Sequence, residues 1–174
     1  MQVRLDKRAR IIADGGQAYP VDLLRDHTLV QVRQKYTDDT GELTLAPGEE
    51  TTDEVTVGGR VVFVRNTGKL CFASLQDGFT ETSNGERLQI MLSKAEVGDE
   101  SLAAWKSDVD LGDHVWVRGR VVVSRRGELS IMAAEWRMAS KALRPLPTLH
   151  KELSEETRVR RRYADLVVRE ESRQ

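Results

Sequence analysis

The sequence predicts a mainly β chain built on a small five-stranded barrel, with helices before it and a linker segment after it. Three observations carry that prediction. The stretch from Val55 to about Met138 holds five segments rich in β-branched or alternating apolar residues: VTVGGRVVFVR, KLCFASLQD, RLQIML, HVWVRGRVVVS and ELSIMAAEWRM. A short amphipathic stretch, Ser101–Ser107 with Leu102, Ala103 and Trp105, separates the third segment from the fourth and predicts a helix there. Glycines stand inside long strands, at Gly58–Gly59 in the first and Gly119 in the fourth, where a small barrel must bend through its corners. Five strands with a helix between the third and fourth is the order of an OB-fold.

Turns fall at Asn66-Thr67-Gly68, Asn84-Gly85 and Arg126-Gly127. Upstream, Gln2 to Ala13 sets Val3, Leu5, Ile11 and Ile12 among basic residues and predicts a helix that stops at Gly15–Gly16. Thr28 is placed to cap a second helix running to about Tyr36, and the polar stretch Thr37 to Asp53 reads as a flexible linker. Downstream, Arg144-Pro145-Leu146-Pro147 is neither helix nor central strand. Ser154 then caps a charged helix to Val168 that has no packing partner of its own and looks like a severed connection to something larger. The expected divisions are 1–53 for the helical extension and linker, 54–140 for the barrel, and 141–174 for the segment leaving it.

With 32% of its 174 residues charged and 39% hydrophobic, the chain suits one modest core with polar arms rather than a large enzyme core. The net charge of −1 removes the simplest argument for nucleic acid, a strongly basic composition. Yet the cations cluster at Arg4, Lys7, Arg8 and Arg10, at Arg118, Arg120, Arg125 and Arg126, and from Arg158 to Arg162, so a neutral total is compatible with a positive face. Cys71, the single cysteine, excludes an internal disulfide and reads as a buried thiol in a reducing compartment. No apolar run approaches the roughly 20 residues of a membrane span, and charges interrupt the N-terminus where a signal peptide would be apolar. A cytoplasmic location is expected.

Alternation sorts the barrel's faces. Cys71, Ala73 and Leu75 point one way and Phe72, Ser74 and Gln76 the other; Leu88, Ile90 and Leu92 oppose Arg87, Gln89 and Met91; Leu129, Ile131 and Ala133 oppose Glu128 and Ser130. Phe72 thus stands among polar side chains on an outward face. Either it stacks on a nucleobase, with Gln89 and Glu128 reading base edges, or it packs beneath a loop or helix. Catalytic chemistry finds no support. Asp108, Asp110 and Asp113 flank a turn, His27, His114 and His150 have no metal-ligand spacing, and Asn66-Thr67-Gly68-Lys69 joins two strands and lacks a phosphate-loop pattern. No nucleophile elbow or dinucleotide fingerprint occurs. Neither metal nor cofactor is expected here.

The residues Val57 to Asp77, VGGRVVFVRNTGKLCFASLQD, closely resemble the first hairpin of the anticodon-binding domain of the lysyl-tRNA synthetase family. Asp110-Leu111-Gly112-Asp113, Gly127-Glu128-Leu129-Ser130, Lys141-Ala142-Leu143-Arg144-Pro145-Leu146-Pro147 and Arg158 to Leu166 match in the same order. Aspartyl- and asparaginyl-tRNA synthetases share the barrel but would not be expected to carry KALRPLP. HKELSEE and SRRGELS are similar to the actinobacterial branch. The resemblance implies that Phe72 stacks on an anticodon base and that Arg65, Gln89 and Glu128 contact the uridines of the lysine anticodon, with Gln76 a weaker candidate on the same surface. Arg65 rests on resemblance alone, because its parity follows Val61 and Phe63, taken as core. The implied partner is the tRNA(Lys) anticodon stem-loop. The family's class II catalytic motifs, with their ATP, magnesium and lysine ligands and most of the homodimer contact, would lie beyond Gln174. The turn Gly78 to Glu86 is longer than the family's and reads as a neutral surface insertion, with contact to RNA as the alternative. Two other readings stay open: the corresponding region of a lysyl-phospholipid synthase, and a protein-interaction barrel.

Overall fold

The computed structural model describes residues 1–78, 86–146 and 154–168. The expected turn residues Asn84-Gly85, the body of the Gly78–Glu86 insertion, Pro147 and His150 lie outside them. Five strands, β1 (Glu50–Thr67), β2 (Leu70–Gln76), β3 (Arg87–Ser93), β4 (His114–Val123) and β5 (Leu129–Ser140), close a barrel in the order β1-β2-β3-β5-β4. All pairings are antiparallel except β3 with β5. That arrangement is the OB-fold read from the sequence.

The interior is the apolar parity of each strand. Val57, Cys71, Leu75, Leu88, Ile90, Leu92 and Ile131 are fully buried. Burial pushes the Cys71 thiol above its ordinary pKa, which keeps it protonated and inert. Between β3 and β4 the chain forms a short turn of helix, α3 (Lys94–Val97), and then α4 (Asp99–Asp108). Leu102 and Trp105 of α4 join the core, and Trp105 meets Trp136 of β5 edge-to-face at 5.1 Å.

The glycines sit where strands touch. A Cβ on Gly119 would overlap the Met132 carbonyl oxygen, at the register shift between Arg118 and Gly119, and one on Gly59 would lie 3.1 Å from the Gln76 carbonyl oxygen. At Gly119 the backbones approach too closely for any side chain, and at Gly59 a side chain fits only if its neighbours give by a few tenths of an ångström.

The N-terminal helices form as read: α1 spans Gln2–Ala13 and α2 spans Leu29–Lys35. Thr28 and Gln31 make a reciprocal capping box, and Leu29 and Val32 enter the core. The stretch taken as a flexible linker is shorter and better packed than expected. β1 begins at Glu50, Leu43 and Leu45 pack against the core, and the Tyr36 hydroxyl donates to Asp53. The C-terminal helix expected as one piece is two, α5 (Glu155–Arg160) and α6 (Arg162–Val168). Arg158 of α5 and Arg162 of α6 both stand by the buried Asp165 carboxylate, at 3.6 and 3.2 Å.

The aspartate turn is the fastening of the whole assembly. Fully buried Lys141 donates to Asp110 (2.6 Å), Asp113 (2.7 Å) and the Asp108 carbonyl (2.7 Å). The same turn takes Lys7 of α1 on Asp110 and Arg10 on Asp108, and Arg4 donates to the Leu111 and Ala142 carbonyls. No group of three or more metal-binding side chains occurs among the described residues.

Candidate nucleic-acid interface

β1 does not keep its alternation. Val61 pairs with Leu75, but Phe63 pairs with Ser74, so one extra residue is inserted between them. Val61 and Val62 are consequently both buried, and every residue after the bulge changes face. This corrects the placement of Phe63, which is not core but 55% exposed. The same shift brings Arg65 to the outer face opposite Phe72, where its guanidinium lies 4.7 Å from the ring centroid.

Two rows of side chains now cross the outer sheet. One runs Phe63, Ser74, Gln89, Ser130 and the other Arg65, Phe72, Met91, Met132. Gln89 donates to Ser130 Oγ at 2.8 Å, and that hydroxyl donates to the Glu128 carbonyl at 2.9 Å. Ser130, sorted outward by alternation, is fully buried beneath Gln89. Glu128 follows the turn Ser124–Gly127, where Ser124 Oγ accepts from its backbone N–H, and its carboxylate stands 3.8 Å from Arg33 of α2. Arg33 is held by Glu86 and the Arg87 carbonyl, both at 2.7 Å. The sequence reading missed Arg33, since nothing local indicates which strand a helix side chain will reach.

Phe63, Arg65, Phe72, Gln89, Arg126 and Glu128 line one groove of about 740 Å³. Four of the five expected residues therefore converge. Gln76 does not. It is 6% exposed at the far end of β2, with its Oε1 unpartnered. The neighbouring members of its motif are structural: Leu75 is core, and Asp77 accepts from the Leu29 N–H to hold the start of α2.

Charge sorts the groove from the rest of the surface. Arg118 pairs with Glu54 and Glu135, and Arg120 with Glu50 and Glu96. Lys7 and Arg10 of α1 are likewise spent on the aspartate turn and Arg8 lies over the Tyr19 ring, so α1 supplies less free positive charge than its sequence suggested. Arg65, Arg125 and Arg126 carry no ion pair among the described residues. Unneutralised guanidinium groups around an exposed ring and hydrogen-bonding side chains are what a single-stranded nucleic acid requires.

The family model described as an OB-fold nucleic acid binding domain matches residues 55–139. The barrel belongs to that family. This OB domain sits in a chain similar to lysine–tRNA ligases throughout. Identity is 60% over 173 residues to that of Kineococcus radiotolerans and 56% over 172 to that of Mycolicibacterium gilvum, each covering 99% of this chain and 32% of the relative. The Mycobacterium tuberculosis ligase is 55% identical over 172 residues, again 32% of its length. The lysylphosphatidylglycerol biosynthesis bifunctional protein of Rhodococcus jostii is 38% identical over 174 residues, 14% of its length. The chain thus carries an OB-fold nucleic acid binding domain, is similar to lysine–tRNA ligases over nearly its whole length, and spans about a third of the ligases it matches. No described helix is long and apolar enough to cross a membrane.

A second cavity, about 360 Å³, lies beside this OB domain's β1–β4 seam and is lined by Arg60, Gln76 and His114 among others. Burial, then the neighbouring Arg60 charge, push His114 down to about 4, against an opposing pull from Asp113. The unfolded chain therefore binds a proton that the folded chain refuses between its ordinary value of 6.5 and about 4. Stability should fall across that window as pH is lowered. Urea unfolding of His114→Gln should show a flatter dependence from pH 6.5 to 4 than the wild type.

Proposed function

We propose that the chain grips the anticodon stem-loop of tRNA(Lys) on the Phe63–Glu128 groove. In this reading the remainder of a longer lysine–tRNA ligase, cytoplasmic and homodimeric, attaches lysine using ATP and magnesium. The observation that carries it is the placement of Arg65, Phe72, Gln89 and Glu128 on one face, with the bulge delivering Arg65. An unstacked base laid on Phe72 exchanges water for ring contact, worth about 1–3 kcal/mol per base. A uridine presents an N3–H donor between two carbonyl acceptors. The Glu128 carboxylate accepts from such a donor, and the Gln89 amide offers both a donor and an acceptor to the base edge. Arg65, beside the Phe72 ring, meets the same uridine, while Arg125 and Arg126 supply sequence-independent phosphate contacts that set register. The chain's own residues thus recognise, and the bond-making steps fall to the rest of the ligase. The higher identity to the ligases, 60% against 38% for the bifunctional lipid protein, favours this parent.

Titration of a labelled lysine-anticodon hairpin tests the proposal. Binding should weaken steeply as salt rises, because each phosphate contact releases condensed counterions. Phe72→Ala should lower affinity at matched salt at least several-fold. Equal affinity of Phe72→Ala and wild type would remove Phe72 from the interface and the proposal with it.

A further inference from the structure

We infer that Phe63 is a second nucleobase subsite, taking an unpaired base adjacent in the loop to the one on Phe72. The inference rests on the groove being an RNA interface. Phe63 is exposed by construction: the bulge buries Val61 and Val62 together and turns the next ring outward in the middle of β1, not at a fraying end. An aromatic ring 55% exposed on a strand forfeits burial that an unbroken strand would have given it.

The surroundings are those of a receiving surface. Phe63 pairs with Ser74, whose short side chain leaves the ring open towards Gln89 on the next strand. Phe72, one row along, is already covered by Arg65. A row is two residues, about 6.8 Å along the strand. That is twice the roughly 3.4 Å rise of stacked nucleotides. The two rings therefore hold bases splayed apart, each on its own platform, rather than one continuous stack. The Ser124–Gly127 turn brings Arg125 and Arg126 to the same groove, without an ion pair among the described residues, where they meet the phosphates between the two bases. A sequence-tolerant stacking site on Phe63, with the Ser74 hydroxyl and Gln89 amide at the base edge, follows.

The test uses the full chain with the lysine-anticodon hairpin and a set of hairpins carrying a single abasic site at each loop position. Phe63→Ala should weaken the parent hairpin about five-fold or more, while Phe63→Trp retains affinity because the ring and not its identity matters. One abasic position, different from the one that becomes silent in Phe72→Ala, should cost the wild type affinity and cost Phe63→Ala nothing further. If Phe72→Ala weakens binding and Phe63→Ala does not, the second subsite is overturned and the interface stands. If neither weakens it, the interface reading falls as well. If Phe63→Ala weakens binding yet every abasic position costs it what it costs wild type, Phe63 shapes the strand instead of holding a base, and the inference is overturned.

Discussion

Replacing Lys141 with methionine should destabilise the fold by about 3–5 kcal/mol. The ammonium is fully buried and meets two carboxylates and a carbonyl, and Asp113 is itself fully buried. Methionine fills similar space but leaves the Asp113 charge with only the Asp110 and Ala142 N–H groups. Calorimetry should show a melting temperature lower by roughly 6–20 °C for a domain of this size. Adding Asp113→Asn to Lys141→Met should recover part of the loss, since the stranded charge rather than the missing bond dominates. Acid behaviour gives a second reading. Burial alone would raise Asp110, but hydrogen bonds from Lys141 and Lys7 outweigh it and hold the carboxyl below its ordinary 3.8. Its contribution is thus complete above that value and lost as pH falls through the lower folded value. Lys141→Met should shrink this acid sensitivity. An unchanged melting temperature would mean that the clamp does not hold the fold.

Gly119→Ala should be the second most damaging change, at about 1–3 kcal/mol or more. One methyl group would have to overlap the Met132 carbonyl oxygen and sit 2.8 Å from the Ala133 Cα, and both obstacles are backbone. Relief requires β4 and β5 to part where their register shifts, which breaks ladder hydrogen bonds on both sides. Gly58→Ala supplies the control in the same barrel, because its methyl would meet only the Val115 carbonyl oxygen at 3.6 Å. Gly59→Ala belongs between them, with contacts at 3.1 Å. Urea midpoints at equal m-values should follow that order. A Gly119→Ala midpoint equal to that of Gly58→Ala would show the strand gap to be wider than described.

The barrel was legible because alternation, turn residues and corner glycines all pointed to it, and the three apolar strand faces sorted by alternation, in β2, β3 and β5, went to the interior as read. Legibility failed where a single residue broke the period. Val62 carries nothing that announces a bulge: it is one valine in the run Val61-Val62-Phe63-Val64, so parity counted through it sent Phe63 inward and left Arg65 unexplained. Resemblance grouped Arg65 with Phe72 without supplying what brings the two to one face, which is the inserted residue. Gln76 failed for the opposite reason. Its parity is that of Phe72, but β2 ends there under the return of β1 and its surroundings close over it. Charge clusters misled in a third way, since a run of cations says nothing about the carboxylates that the fold brings to them. Arg118 and Arg120 are neutralised across strands, while Arg125 and Arg126, a few residues on, carry no ion pair among the described residues.

In the proposed interface, the guanidinium of Arg65 resting on Phe72 bears on how quickly an RNA can leave. The ring already meets a cation in the free protein, so under the proposed function a base arriving there replaces or extends a contact that the protein makes with itself. Departure is then compensated from within: as the base lifts away, the cation settles back onto the ring. An interface whose contacts have internal understudies discriminates among loops through what each base adds, yet exacts little when the loop is let go, which suits a reader that must handle one RNA after another.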